Sequence, residues 1–125
     1  MNKKNTLKLY KDFPKLYKQH KLLPSQTCMC WGFDCGDGWF DLIYNLSKAI
    51  SELEPNVQAV QVKEKFGGLR FYTDGTSEQV YKLINKIEAE SYKICEECGT
   101  KENVSQNQKG WIKTLCNKCR EKKDE

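Results

Sequence analysis

The chain has 125 residues, of which 38% are hydrophobic, and a formal net charge of +4. These values exclude a wholly disordered chain and allow one modest core with a small appendage, but not two independent cores. No run approaches 18 apolar residues, so no membrane-spanning helix is predicted. Seven cysteines, an odd number, and an N-terminus without an apolar signal region predict a reducing cytoplasm rather than a secreted disulfide scaffold.

The first 24 residues form a basic segment with seven lysines and a single acidic residue, Asp12. Pro14 suits the first turn of a helix, because its missing N–H is not needed there, and this predicts a short helix to about His20. We expect this arm to dock its apolar residues on the core and to expose its lysines. A lysine–aromatic arm also suits a phosphate backbone.

Residues 27–34 are rich in cysteine and aromatic residues and predict a buried strand. Cys28, Cys30 and Cys35, with the only histidine, His20, offer the donors for a second metal site, although their mixed spacing is a weak metal signature. The alternative is three reduced thiols that pack as small hydrophobes. The sequence leaves both interpretations open.

A Gly-Asp-Gly-Trp motif at residues 36–39 precedes a predicted helix that ends near Glu54, because Pro55 disfavours helical geometry in the residue before it. Asp37 is the expected N-cap. A glycine-flanked helix start can instead bind phosphate, but the Asp37 carboxylate argues against this. The apolar residues of the helix share one face at 3.6-residue spacing: Trp39, Leu42, Ile43, Leu46, Ile50 and Leu53.

Two strands, residues 57–66 and 69–73, flank Gly67-Gly68 and predict a hairpin. Its charged tip is the expected partner-binding surface, because loops on a rigid sheet often carry function, although a solvated hairpin with ion pairs fits equally well. The residues proposed for this surface are Trp39, Lys63, Lys65, Arg70 and Trp111. A capping box of Thr76 and Gln79 then begins a helix that runs to about Ser91.

The last 31 residues contain the strongest motif, a Cys-x2-Cys pair separated by 17 residues from a second such pair. Cys95, Cys98, Cys116 and Cys119 are the expected ligands of one structural, tetrahedral Zn²⁺. A polar turn at residues 101–109, a strand at 110–115 and a helix at 117–123 predict a treble clef, with a zinc ribbon as the alternative. Four thiolates and one Zn²⁺ subtract two charges, which leaves the loaded chain nearer +2.

Together these elements predict an α+β fold: a small antiparallel or mixed sheet with two packed helices, followed by the zinc module. The expected domains are a basic helical arm at 1–24, an α+β core at 25–94 and a zinc-binding module at 95–125.

Three motifs, in this order, resemble a family of small, mostly uncharacterised bacteriophage and prophage proteins. They are Cys28-Met-Cys-Trp-Gly-Phe-Asp-Cys-Gly-Asp-Gly-Trp39, Val62-Lys-Glu-Lys-Phe-Gly-Gly-Leu-Arg-Phe-Tyr72 and the two terminal cysteine pairs. The resemblance spans roughly residues 13–120. It implies a bacterial host cytoplasm and a role accessory to phage growth, for example the blocking of a host protein.

The leading functional hypothesis is therefore a non-enzymatic binding protein that sequesters or blocks a signal or a host protein, such as a component of a defence system. A nucleic-acid-binding module is the first alternative, supported by the lysine arm and by the basic residues of the zinc module: Lys113, Lys118, Arg120, Lys122 and Lys123. A nucleotide or signal-molecule binder is the second, with phosphate between the Gly36–Gly38 turn and Arg70 with Lys65. The sequence shows no recognisable catalytic arrangement of residues. For the oligomeric state, a two-fold homodimer is the default expectation.

Overall fold

Three strands form the central sheet of the computed structural model, which describes residues 1–124. β1 (Phe33–Asp34) pairs in parallel with β2 (Gln58–Lys65), and β2 pairs antiparallel with β3 (Gly68–Asp74). The predicted hairpin is confirmed, although its turn lies at Phe66 and Gly67, which both have positive φ. The sheet is mixed, and the predicted α+β class is confirmed.

The apolar faces of two helices supply much of the core. α1 is Lys3–Asp12, α2 is Phe40–Leu53 and α3 is Glu78–Ser91, and α2 and α3 contact each other. The predicted ends of α2 and α3 are confirmed. Their buried apolar residues are Leu42, Ile43, Leu46, Ile50, Val80 and Ile84. Within residues 1–124, no helix combines the length and the apolar character that a bilayer span requires.

The N-terminal arm is helical in a different place from the prediction. α1 ends before Pro14 and begins after Asn2, whose side chain accepts a hydrogen bond from the Asn5 amide at 2.8 Å. Pro14 therefore follows the helix rather than starting it, and only a 3-10 turn at Lys18–Lys21 falls in the predicted region. Leu9 and Tyr17 are fully buried, as expected for an arm that docks on the core.

The strand predicted at residues 27–34 is mostly wrong. Met29–Trp31 forms a 3-10 turn, and only Phe33 and Asp34 are in a strand. Thr27 explains the turn, because its hydroxyl accepts a hydrogen bond from the Met29 amide at 3.1 Å and competes with extended pairing.

Both predicted helix caps are displaced. Asp37 begins a 3-10 turn, and its carboxylate accepts hydrogen bonds from the Asn2 amide at 2.7 Å and the Asn5 side chain at 3.2 Å. It therefore ties α1 to the core instead of capping α2. At α3 the cap is Ser77, whose side chain accepts from the Val80 amide at 3.3 Å, one residue after the predicted position.

Candidate metal centre and the adjoining cleft

The C-terminal segment folds as a turn, a two-stranded hairpin and a helix. β4 (Val104–Gln106) pairs antiparallel with β5 (Thr114–Cys116), and α4 (Asn117–Asp124) follows directly. Cys95 to Gly99 form a tight turn, the knuckle, in which the Gly99 amide donates to the Cys95 carbonyl at 2.9 Å. This order is that of a treble clef. β4 was not predicted, because its segment had been expected to form a polar turn.

The four predicted ligand sulfurs converge on one point. The Sγ atoms of Cys95, Cys98, Cys116 and Cys119 all lie within 4.8 Å of one another, and Cys98 Sγ is 3.7 Å from Cys116 Sγ. A Zn–S bond of about 2.3 Å places two sulfurs of a tetrahedron about 3.8 Å apart, whereas disulfide sulfurs are about 2.05 Å apart. The residues therefore fit a single tetrahedral metal ion such as zinc.

The surroundings of Cys95 Sγ favour the thiolate form, whereas burial, and after it hydrogen bonds with the neighbouring cysteines, raises the pKa of Cys98 and of Cys119. Burial raises the pKa of the Cys95 thiol, but hydrogen bonds from the backbone amides of Cys98 and Cys116, among others, outweigh it and lower that pKa to about 7. The Cys119 amide also donates to Cys116 Sγ at 3.4 Å. A metal held by four thiolates has no open position for substrate or water, which fits a structural role.

The Gly-Asp-Gly-Trp motif holds the knuckle against the core through hydrogen bonds. The Gly36 amide donates to Glu96 Oε2 at 2.9 Å, and the Gly38 amide donates to the Glu96 carbonyl at 2.7 Å. A Cβ atom at Gly38 would lie 2.1 Å from the Cys95 carbonyl oxygen, so only glycine permits this approach. Because Glu96 occupies the turn, the phosphate position predicted at Gly36–Gly38 is wrong.

Trp39 is a core residue and not part of a partner-binding surface. Its side chain is fully buried, and its indole N–H donates to the Ile94 carbonyl at 2.9 Å. This corrects the prediction and explains the motif: Trp39 anchors the chain just before the first metal ligand.

The turn of the β2–β3 hairpin also contacts the metal module. The Thr114 hydroxyl donates to the Gly67 carbonyl at the hairpin turn, and the Gly67 amide donates to Glu64 Oε2 at 2.8 Å. Lys113 Nζ lies 3.3 Å from Glu64 Oε1 and 3.6 Å from Glu96 Oε1. One ammonium group thus bridges two nearly buried carboxylates.

Between the hairpin and the module lies a cleft of about 720 Å³. Two aromatic side chains that line it are largely exposed, Phe66 at 66% and Trp111 at 79%. Lys63 and Lys65 also line it, and Lys65 Nζ lies 5.5 Å from the centre of the Phe66 ring. Three of the five predicted partner-binding residues, Lys63, Lys65 and Trp111, therefore share one cleft.

Arg70 does not line the cleft. Its guanidinium donates to the Tyr92 hydroxyl at 3.3 Å. Arg70 is the cross-strand partner of Lys63, so it lies near the predicted binding surface but outside the cleft.

Glu96 and Lys113 lie at the base of the cleft. Glu96 had not been predicted as a binding residue, and Lys113 had been predicted only as part of a nucleic-acid surface. The side chain of Glu96 is 7% exposed, and its Oε1 has no hydrogen-bond partner within the described part of the chain. Burial raises the pKa of Glu96, against the opposing effects of the Gly36 amide and of Lys113. Burial lowers the pKa of Lys113, but the two carboxylates outweigh it and raise that pKa, so the ammonium form is retained.

Glu96 gave no sequence signal because it stands between two metal ligands and looks like a spacer. A glutamate in that position is hydrophilic and ordinarily solvated. Only its contact with Gly36, 60 residues earlier in the chain, shows that it points into the protein.

The second cysteine cluster does not form. Within residues 1–124, Cys95, Cys98, Cys116 and Cys119 are the one set of metal-ligating side chains that the fold gathers. Cys28 is exposed, Cys30 Sγ donates to the Thr27 carbonyl at 3.4 Å, and Cys35 is buried. The His20 ring stacks on Tyr10, with 3.8 Å between ring centres.

The fold and the site define an α+β protein with a C-terminal four-cysteine metal module. Comparison of the chain with protein families, with curated proteins and with solved structures found no match. The function is therefore argued from the metal centre and the cleft.

Proposed function

We propose that this chain is a small phage-encoded zinc protein that acts as a non-enzymatic binding module and sequesters or blocks a host protein or signal. The three-motif resemblance supports the phage context and the host bacterial cytoplasm. The four-thiolate site supports a structural metal, because it offers no open coordination position. The cleft between the hairpin and the metal module supplies the binding site.

The observation that carries this proposal is the buried Glu96 Oε1, which has an ion pair with Lys113 Nζ at 3.6 Å but no hydrogen bond among the described residues. The Lys113 charge offsets part of the free-energy cost, on the order of 1–3 kcal/mol, of a buried polar atom without a hydrogen bond. Such a cost is tolerated at functional sites, where a ligand supplies the missing partner. The exposed Phe66 and Trp111 beside it are the aromatic residues that binding surfaces favour.

A bound metal ion would position Glu96 at the base of the cleft. Cys95 is a ligand and Glu96 follows it directly, so the metal fixes the backbone that carries the Glu96 side chain. The hairpin tip contributes Glu64, Phe66 and the two lysines. The cleft therefore exists only when the metal module is folded against the sheet.

The basic residues assigned to a nucleic-acid surface are partly engaged within the protein. Arg120 donates to the Ser105 carbonyl at 2.6 Å, Lys113 bridges Glu64 and Glu96, and Lys123 pairs with Glu97 at 3.0 Å. These contacts favour the cleft over a nucleic-acid interface as the binding site.

Native mass spectrometry of protein purified without chelator from bacterial lysate tests the proposal. In the wild type we expect one zinc ion per chain and a bound partner or small molecule. The double variant Phe66→Ala/Trp111→Ala should lose the bound partner or small molecule. Trp31→Ala is the matched control, because Trp31 is 74% exposed but lies outside the cleft. Wild-type protein that retains nothing, or a bound species that survives the double variant, would contradict the proposal.

A further inference from the structure

We propose that the cleft binds a free nucleotide, with its base against Glu96 and Lys113, its ring stacked on Trp111 and Phe66, and its phosphate near Lys63 and Lys65. This inference rests on the proposed function and names the ligand class. The phosphate position near Lys63 and Lys65 replaces the one predicted at the Gly36–Gly38 turn, because Glu96 fills that turn.

The base of the cleft presents an acceptor beside a donor. Glu96 Oε1 accepts and the Lys113 ammonium donates, with 3.6 Å between the two atoms. The Watson–Crick edge of every nucleobase carries a donor beside an acceptor, so such a pair complements a base. Less than 1 Å² of Glu96 Oε1 is open to solvent, so the Lys113 side chain, which is 30% exposed, must shift to admit the base.

The aromatic side chains come from two separate elements. Phe66 lies in the turn between β2 and β3, and Trp111 lies in the loop between β4 and β5. Both line the cleft and both are mostly exposed, although a large apolar ring is normally buried. Flat rings of this kind stack on nucleobases without regard to sequence.

The outer charges of the cleft are two lysines, Lys63 and Lys65, against one exposed carboxylate, Asp34. The carboxylates of Glu64 and Glu96 are nearly buried, whereas Lys65 is exposed and Lys63 is half-buried. The outer lysines attract a phosphate and repel a guanidinium or ammonium group. A purely apolar ligand would leave Glu96 Oε1 without a hydrogen bond.

The size of the cleft favours a single nucleotide over a nucleic-acid strand. Small-ligand sites have volumes of about 300–1,000 Å³, and this cleft, at about 720 Å³, lies within that range. A strand would need a longer basic groove.

Isothermal titration calorimetry of the zinc-loaded protein tests the inference. The probes are AMP, GMP, CMP and UMP, the four nucleosides, inorganic phosphate and single-stranded DNA and RNA of 12 nucleotides. We expect at least one mononucleotide to bind about tenfold or more tightly than its nucleoside and than phosphate. Glu96→Gln should weaken that binding about tenfold. Glu97→Gln, at the neighbouring position, which is 46% exposed, should leave it unchanged.

A second pair of variants keeps the inference testable if Glu96→Gln loses zinc. Trp111→Ala should abolish nucleotide binding, and Trp31→Ala should not. Absence of binding by all four mononucleotides overturns the inference, and so does phosphate alone binding as tightly as a nucleotide. Oligonucleotides that bind more tightly than mononucleotides would also overturn it, in favour of a strand.

Failure of the nucleotide inference is distinguishable from failure of the proposed function. If no nucleotide binds but native mass spectrometry shows a partner lost on Phe66→Ala/Trp111→Ala, the binding function stands and the ligand class is wrong. If neither experiment shows cleft-dependent binding, both are wrong.

Discussion

The Gly38 amide donates a hydrogen bond to the Glu96 carbonyl at 2.7 Å, which joins the Gly-Asp-Gly-Trp motif to the metal knuckle. The next hydrogen bond in this junction runs from the Gly36 amide to the Glu96 carboxylate. Glu96 thus connects the core, the knuckle and the base of the cleft. The first and the last of the three sequence motifs therefore meet at Glu96.

The first prediction concerns metal removal. Cys98→Ser should abolish stoichiometric zinc binding, because it removes one of four ligands. We expect a loss of about 3 kcal/mol or more in the free energy of unfolding, a fall of about 10 °C in Tm. Zinc content and thermal denaturation measure both effects.

Cys28→Ser is the control for this variant. Cys28 and Cys98 are both exposed, but only Cys98 belongs to the four-cysteine site. The control should keep one zinc ion and an unchanged Tm. A Cys98→Ser protein with full zinc content and wild-type stability would refute the assignment of the site.

The second prediction tests the close approach at the knuckle. Gly38→Ala should destabilise the protein by about 3 kcal/mol or more, since the new Cβ would meet the Cys95 carbonyl oxygen, which cannot move away cheaply. Gly110→Ala is the comparison, because Gly110 has open space around it but a φ of +76°. Its cost should be limited to the backbone strain of about 1–2 kcal/mol. Urea denaturation measures both, and equal costs would contradict the steric argument.

Local patterns in the sequence predicted much of the fold. The apolar spacing of α2, the end of that helix before Pro55 and the four metal ligands depend on residues close together in the chain. The same is true of the hairpin around Gly67. Each of these features is fixed by local geometry, which a single sequence displays.

The features that were missed depend on distant partners. Asp37 has the residue type of a cap, but the Asn2 amide, 35 residues earlier, takes its carboxylate. Glu96 looks like a solvated spacer until Gly36 approaches it. Trp39 had been predicted both on the apolar face of the helix and on the partner-binding surface, and its hydrogen bond to the Ile94 carbonyl, 55 residues later, assigns it to the core. Sequence spacing carries no signal for these contacts.

The third prediction concerns cysteine reactivity. Burial raises the pKa of the Cys35 thiol to about 12, so almost no thiolate is present at pH 8. In zinc-loaded protein, iodoacetamide should modify the exposed Cys28 first and Cys35 far more slowly. Peptide mass spectrometry over time measures the order. In guanidinium chloride with chelator, all seven cysteines should react; rapid modification of Cys35 in the folded protein would contradict its burial.

The fourth prediction concerns Asp12. The Tyr44 hydroxyl donates to Asp12 Oδ2 at 2.6 Å and, together with Lys8, lowers the pKa of Asp12 below its ordinary value of 3.8. A lowered pKa stabilises the fold above the unfolded-state value, and this stabilisation is lost as the pH falls through the folded-state pKa. Tyr44→Phe should raise the Asp12 pKa towards 3.8.

An NMR titration of the Asp12 carboxyl carbon measures this shift directly, and it avoids the acid-induced loss of zinc that would dominate a stability curve. Lys8→Met should also raise the same pKa, because it removes both a hydrogen bond to Asp12 and the favourable charge of Lys8. An unchanged Asp12 pKa in Tyr44→Phe would show that the hydrogen bond is absent in solution.

The fifth prediction separates the roles of two tryptophans. Trp39→Phe should lower the free energy of unfolding by about 2–3 kcal/mol, because it leaves a cavity and removes the hydrogen bond to the Ile94 carbonyl. Trp111→Phe should change stability by less than about 0.5 kcal/mol, because that side chain is mostly exposed. Urea denaturation of the zinc-loaded variants compares them. A stable Trp39→Phe protein, or a strongly destabilised Trp111→Phe protein, would reverse the assignment of one tryptophan to the core and the other to the cleft.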